Sequence, residues 1–186
     1  ALAGKNVTVW PSVSGLTNWQ HMSFNPQTGL LYINTLHIGM TYEAPEPQAM
    51  VPGKPSGPGS VKRTTVLEDP NVRGYLKAVD PMTGKSKWET PFQSPNFSST
   101  MVTASNLVFT GVMTGEMQAL DADTGKVLWS FKTPSGIVGQ PVTWERNGVQ
   151  YVTVTSGIGG VYARQPDPNL AHVPKGGSLW TFKLMP

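Results

Sequence analysis

Asp80, Thr83 and Lys85 lie close together in "AVDPMTGKSKWETP", and they are the residue types of an acid–base set. The same types return as Asp121, Thr124 and Lys126 in "ALDADTGKVLWSFKTP", forty-one residues further on. A catalytic constellation is unique in a chain, whereas a turn can be written once per repeat. Asp-x-x-Thr-Gly-Lys is also turn chemistry: the Asp side chain bonds backbone two residues on, and Gly takes a positive φ. The repeated phrase therefore reads as structural.

Other reactive patterns are few. There is no Cys, which removes disulfides, zinc–thiolate sites and thiol nucleophiles. His21, His37 and His172 show no metal-ligand spacing. His21 and His37 flank one strand and are read as surface residues, with the lining of a substrate mouth as the alternative. No Gly-x-Ser-x-Gly elbow occurs. "GIGG" at 157–160 follows a strand but opens no helix, so it is not a phosphate loop.

The elements that carry these residues follow from the repeat. Gly74/Gly115, Ala78/Ala119, Asp80/Asp121, Gly84/Gly125 and Trp88/Trp129 align, and alternating strands flank each turn. "STMVTA", "NLVFTGV", "EMQALD" and "VLWSFK" are four short strands in one period. Four strands in about 40 residues make a propeller blade. The fold class is all-β: β-propeller blades of four antiparallel strands with tryptophan-docking motifs. The whole chain, 1–186, reads as part of one propeller domain, with blades at about 15–92, 98–133 and 135–184. The first blade carries an insert at 42–72, Pro- and Gly-rich from Tyr42 to Asp69, read as a long irregular loop. Trp88 and Trp129 are expected to dock on the neighbouring blade beside its Gly, each ring buried and its N–H free to bond a carbonyl. Propellers close with roughly 4 to 8 blades, so three leave two raw edges. The opening "ALAGKNVTVWPSV" reads as mid-protein loop, and more chain or more subunits are expected.

Composition narrows the partners. Gly (20) and Pro (17) are abundant, apolar residues make up 38% and charged residues 13%, which suits short strands and many turns. The net charge is +3, but only Lys62-Arg63 forms a basic cluster, so no nucleic-acid partner is expected. No apolar run approaches the ~20 residues of a membrane span, and no basic-then-apolar leader opens the chain, so a signal peptide is read as either absent or already removed.

Several stretches together carry a family resemblance: the repeated "AxDxxTGKxxW", "NWQHMSFNPQTGLLYI" (18–33), "SNLVFTG" (105–111), "GIVGQPVTWERNGVQYVTVTSGIGG" (136–160) and "GGSLWTFKL" (176–184). The chain resembles the C-terminal third of the pyrroloquinoline-quinone (PQQ) dependent alcohol dehydrogenases, over nearly all its length except the insert. The resemblance implies an eight-bladed propeller holding PQQ and Ca2+ or a lanthanide ion on its axis. It also implies a periplasmic enzyme that oxidises primary alcohols or polyols to aldehydes by hydride transfer to PQQ and passes electrons to a cytochrome c. The family's catalytic Asp and metal ligands fall outside this chain, so the segment alone is expected to be inactive.

Some cofactor contacts are implied within it. Asn18, with Trp19 beside it, matches a family Asn-Trp pair near the quinone oxygens, where an amide N–H suits an oxygen gaining charge. Asn18 as a plain turn residue is the alternative. Phe97, in "SPNFSSTMVTASNLVF", matches a family Trp as an apolar wall, or is core packing. Gly159-Gly160-Val161 matches a family Gly-Gly-Trp at a cofactor carboxylate, or is a β-turn. "NTLHIGMTYEAP" is placed to influence the choice of alcohol, and "SLWTFKL" to pair with an N-terminal strand that shuts the ring. A non-catalytic propeller scaffold that binds proteins is the second reading; it would need neither "SGIGGV" nor "TNWQHM".

Overall fold

Asp80 and Asp121 each close a hairpin by side-chain bonds to the two residues that stand two and three places on. The Met82 N–H donates to Asp80 Oδ1 at 2.8 Å and the Thr83 hydroxyl to Oδ2 at 2.8 Å. Thr124 donates to Asp121 Oδ1 through both its N–H and its hydroxyl, each at 2.8 Å. Gly84 and Gly125 follow at φ 69° and 72°. The ladder slips by one residue at the same place in both hairpins, between Ala78 and Val79 and between Ala119 and Leu120. "NPQTG" repeats the device with Asn25, whose Oδ1 accepts from the Gln27 N–H at 2.9 Å.

A computed structural model describes residues 5–43, 52–53, 62–159 and 167–183. These residues form antiparallel strands and include a short 3-10 turn, Pro168–Leu170. The first blade is formed by β2 (Ser23–Asn25), β3 (Leu30–Leu36), β6 (Gly74–Val79) and β7 (Ser86–Phe92), paired in that order. The second is formed by β8 (Thr100–Val102), β9 (Leu107–Gly111), β10 (Glu116–Asp121) and β11 (Val127–Lys132). The third sheet has β12 (Val142–Arg146), β13 (Val149–Ser156) and β14 (Ser178–Lys183), three strands among the described residues rather than four.

The reading of the insert as an irregular loop is corrected. Strands β4 (Gly39–Glu43) and β5 (Lys62–Val66) pair from Gly39↔Val66 to Glu43↔Lys62, and β1 (Val7–Val9) joins them through Val9↔Met40. Thr41, Tyr42, Thr64, Thr65 and Val66 are β-branched or aromatic and favour a pleated surface. The prolines that suggested a loop fall between the two strands, largely outside the described residues.

Blade packing follows the repeat. Leu30, Tyr32, Leu76, Val108 and Leu120 are buried between the first and second blades. Trp88 donates its indole N–H to the Ala122 carbonyl at 3.0 Å. A Cβ on Gly125 would stand 2.5 Å from that ring, so only Gly admits the dock. Trp129 differs. It meets Phe182 edge-on at 5.0 Å between centroids, stays 38% exposed, and walls a cavity of about 580 Å³ with Phe109 and Val152. The turn that would cover Trp129 as Ala122–Gly125 covers Trp88 would follow β14, beyond Lys183 and outside the described residues.

Candidate functional site

β3, β9 and β13 are equivalent strands of three successive sheets, and their C-terminal ends converge. Leu36 ends β3, Met113 follows β9 and Ile158 follows β13, and with Phe97 they form one buried apolar cluster. Val138, Leu170 and Val173 pack against it. The stretch 94–100 runs into this cluster on its way to β8.

The loop ahead of β2 is fastened to that stretch. The Thr100 N–H donates to the His21 carbonyl at 3.0 Å, and the His21 N–H to the Ser99 hydroxyl at 2.9 Å. Gln20 is buried, donates to the Asn96 carbonyl at 3.1 Å, and accepts from the Asn18 N–H at 2.7 Å. These bonds bring Trp19 over Phe97, with ring centroids 6.4 Å apart and planes within 16° of parallel.

The expected site residues are thus partly gathered. Asn18 and Trp19 are exposed, Trp19 at 41%, while Phe97 is only 3% exposed. The Asn18 amide donates to the Ser14 carbonyl at 3.2 Å, and the second N–H of that NH2 group leaves it able to donate once more. Phe97 is covered by this chain's own side chains and backs Trp19. Gly160 and Val161 lie outside the described residues, and Gly159, just before them, is exposed. Ile158, Leu36 and Met113 were not singled out from the sequence. Their shared signal is position: each stands at the end of the same strand of its repeat.

Polar groups surround the cluster. Asn34 donates from Nδ2 to the Ser98 carbonyl at 2.7 Å and to the Thr110 hydroxyl at 2.8 Å, bridging the first two blades. Asn96 is fully buried, and its Nδ2 has no hydrogen-bond partner among the described residues. His37 pairs with Glu68 at 2.9 Å and packs against the rings of Trp10 and Tyr75. Among the described residues, no three His, Cys, Asp or Glu side chains gather as a metal site. No described helix is long and apolar enough to cross a membrane.

This arrangement provides a partly exposed aromatic ring with an amide next to it in the chain, backed by a packed apolar floor. Such a face suits a planar, oxygen-bearing ring. The chain matches, over residues 71–152, a family model described as the PQQ glucose/ethanol/alcohol dehydrogenase β-propeller domain. It is 40% identical over 185 residues to the quinoprotein ethanol dehydrogenase of Pseudomonas aeruginosa, covering 97% of this chain and 29% of that protein. It is 37% identical over 166 residues to the lanthanide-dependent methanol dehydrogenase of Methylorubrum extorquens, covering 87% of this chain and 28% of that one. A solved europium-containing methanol dehydrogenase superposes with a TM-score of 0.79 at 30% identity, covering 98% of this chain and 36% of that one. The chain thus spans less than a third of the length of these curated relatives.

Proposed function

We propose, from the premise that this chain belongs to the PQQ-dependent alcohol dehydrogenase β-propeller family, that it forms three neighbouring blades and one wall of the cofactor site in a quinoprotein that oxidises primary alcohols or polyols to aldehydes. The observation that carries this reading is the exposed Asn18–Trp19 pair held over Phe97 where three blade ends meet.

The residues present fit the cofactor. PQQ is a planar tricarboxylate quinone, and when bound it would accept the hydride from the alcohol. Trp19 would present its ring to the cofactor plane. Phe97, Leu36, Met113 and Ile158 would keep that ring from tilting and exclude water from beneath it. Asn18 would aim its remaining amide N–H at an oxygen that gains charge on reduction. Gly160 would let backbone approach a cofactor carboxylate, with Val161 as an apolar neighbour. The catalytic Asp and the ligands for Ca2+ or a lanthanide would come from the rest of the parent chain. A cytochrome c as electron acceptor and a periplasmic site of action belong to the same reading.

Two surfaces support a closed ring. Trp144 and Val142 are exposed on the third sheet, Val13 and Phe24 on the loops and first strand of the first blade. Apolar faces of this kind call for neighbouring blades. β14 also has an unpaired edge among the described residues, to which an N-terminal strand of the parent would add.

The test is a PQQ titration of the full-length parent with Ca2+ or a lanthanide present. Wild type is expected to take up one equivalent and to oxidise a primary alcohol. Asn18→Ala is expected to weaken binding of oxidised PQQ by about 2- to 12-fold, the range of a lost hydrogen bond to a neutral oxygen. A wild-type parent that binds no PQQ would favour a scaffold role, and unchanged affinity in Asn18→Ala would remove that residue from the site.

A further inference from the structure

Propeller blades ordinarily touch only their neighbours in the ring. The loop between β13 and β14 does otherwise. It belongs to the third sheet, yet Asp167 stands 3.5 Å from Arg73 Nε, at the edge of the first blade. Both side chains are sequestered, at 2% and 11% exposure. Arg73 is itself anchored through its backbone: its N–H donates to the Phe92 carbonyl, and its carbonyl accepts from the His37 N–H, each at 2.9 Å. It is therefore rigidly tied to the ends of both β3 and β7.

The loop is fastened on its way across. Asn169 donates from Nδ2 to the Gln93 carbonyl at 3.4 Å. Leu170 and Val173 cover the Phe97–Met113–Ile158 cluster. Ser135, which follows the second blade, donates to the Pro174 carbonyl at 2.6 Å and accepts from the Ile158 N–H at 3.0 Å. Arg73, Asp167 and Phe97 also border one small cavity of about 30 Å³. Neither Arg73 Nε nor Asp167 Oδ2 makes a hydrogen bond among the described residues.

We infer that Arg73 and Asp167 are a positioning pair that straps the third blade's loop across the second blade onto the first, and thereby fixes the apolar floor under Trp19. The geometry of the pair suits register rather than stability. A sequestered ion pair with unsatisfied atoms is a poor stabiliser, because desolvation offsets its attraction; what it supplies is a directional contact. Here that contact joins two blades that are not neighbours, beside Phe97 under Trp19. The inference rests on the cofactor-wall reading above.

The experiment uses the full-length parent and reads PQQ affinity, melting temperature and amide exchange at residues 157–159 and 167–173. Asp167→Asn is expected to weaken PQQ binding at least tenfold and to speed exchange in those segments. If it does not fold, Arg73→Lys, which keeps the charge, is expected to show the same changes in smaller measure. In the double variant Arg73→Met/Asp167→Leu the melting temperature is expected to recover, since no charge is left uncompensated. Its PQQ affinity is expected to stay low and its exchange fast. A PQQ affinity within twofold of wild type in the folded single variant would overturn the inference. So would a double variant whose affinity recovers together with its melting temperature, which marks a pair that only stabilises. If wild type binds no PQQ, the functional reading fails by itself, and unchanged exchange in the variants would still overturn the strap.

Discussion

Trp88 shows how one residue type links sequence, packing and assembly. Its ring needs a flat, Cβ-free platform, which Gly125 provides, and its N–H needs an acceptor, which Ala122 provides. Gly125 also sits at φ 72°, where a side chain is disfavoured. Gly125→Ala should therefore destabilise the protein by about 1–3 kcal/mol, from strain and from displacement of the ring. Trp88→Phe keeps much of the apolar area but loses the bond, and should cost about 1–2 kcal/mol. Urea unfolding of the full-length chain measures both, and wild-type stability in Gly125→Ala would refute the docking account. Of the proposed site, Asn18 and Trp19 were named from the sequence because a motif marked them. Ile158 and Arg73 could not, because nothing local distinguishes a buried Ile from any other, or a pairing Arg from a solvated one.

The hairpin is the element that recurs, and its outer pair of strands is laced by charge. Lys77 faces Glu89 across β6 and β7 at 2.9 Å, and Lys132 faces Glu116 across β10 and β11 at 2.6 Å. The Lys77 bond holds the Glu89 carboxyl below its ordinary range. Burial pushes Glu116 up, but bonds from Lys132 and Thr114 outweigh it and leave that carboxyl below its ordinary range too. A carboxyl whose folded pKa lies below the unfolded value adds stability above the unfolded value and loses it as pH falls through the folded one. The melting temperature should therefore receive the full contribution of these pairs above about pH 5, and lose it below about pH 4.5. Glu89→Gln and Glu116→Gln should each cost about 0.2–1 kcal/mol at pH 7 and flatten the acid slope. An acid slope identical to wild type in the double variant would contradict this. Turns were legible at this scale because Asp-x-x-Thr-Gly specifies its own bonds. β4 and β5 were not, because the prolines between them mask two good strand segments, and because β1, their partner, lies far upstream in the chain.

At the scale of the molecule, the repeat disclosed the blades but not what joins them. A forty-one-residue spacing implies stacked sheets, and the stacked sheets are there. The convergence of β3, β9 and β13 on one cluster follows from that repeat once the blades are stacked. The strap from Asp167 to Arg73 does not, since it crosses a blade and has no counterpart in the repeated phrase. Apolar faces on the first and third sheets fit a longer ring; under the proposed function this chain would contribute one wall, and the remainder the proton acceptor and the metal ligands. The most direct measurement is a crystal structure of the full-length protein loaded with PQQ and Ca2+ or a lanthanide. The account expects the Asn18 amide within about 3.2 Å of a quinone oxygen and the Trp19 ring within about 4.5 Å of the cofactor plane, with Phe97 behind it. PQQ bound elsewhere, with neither residue in contact, would contradict it.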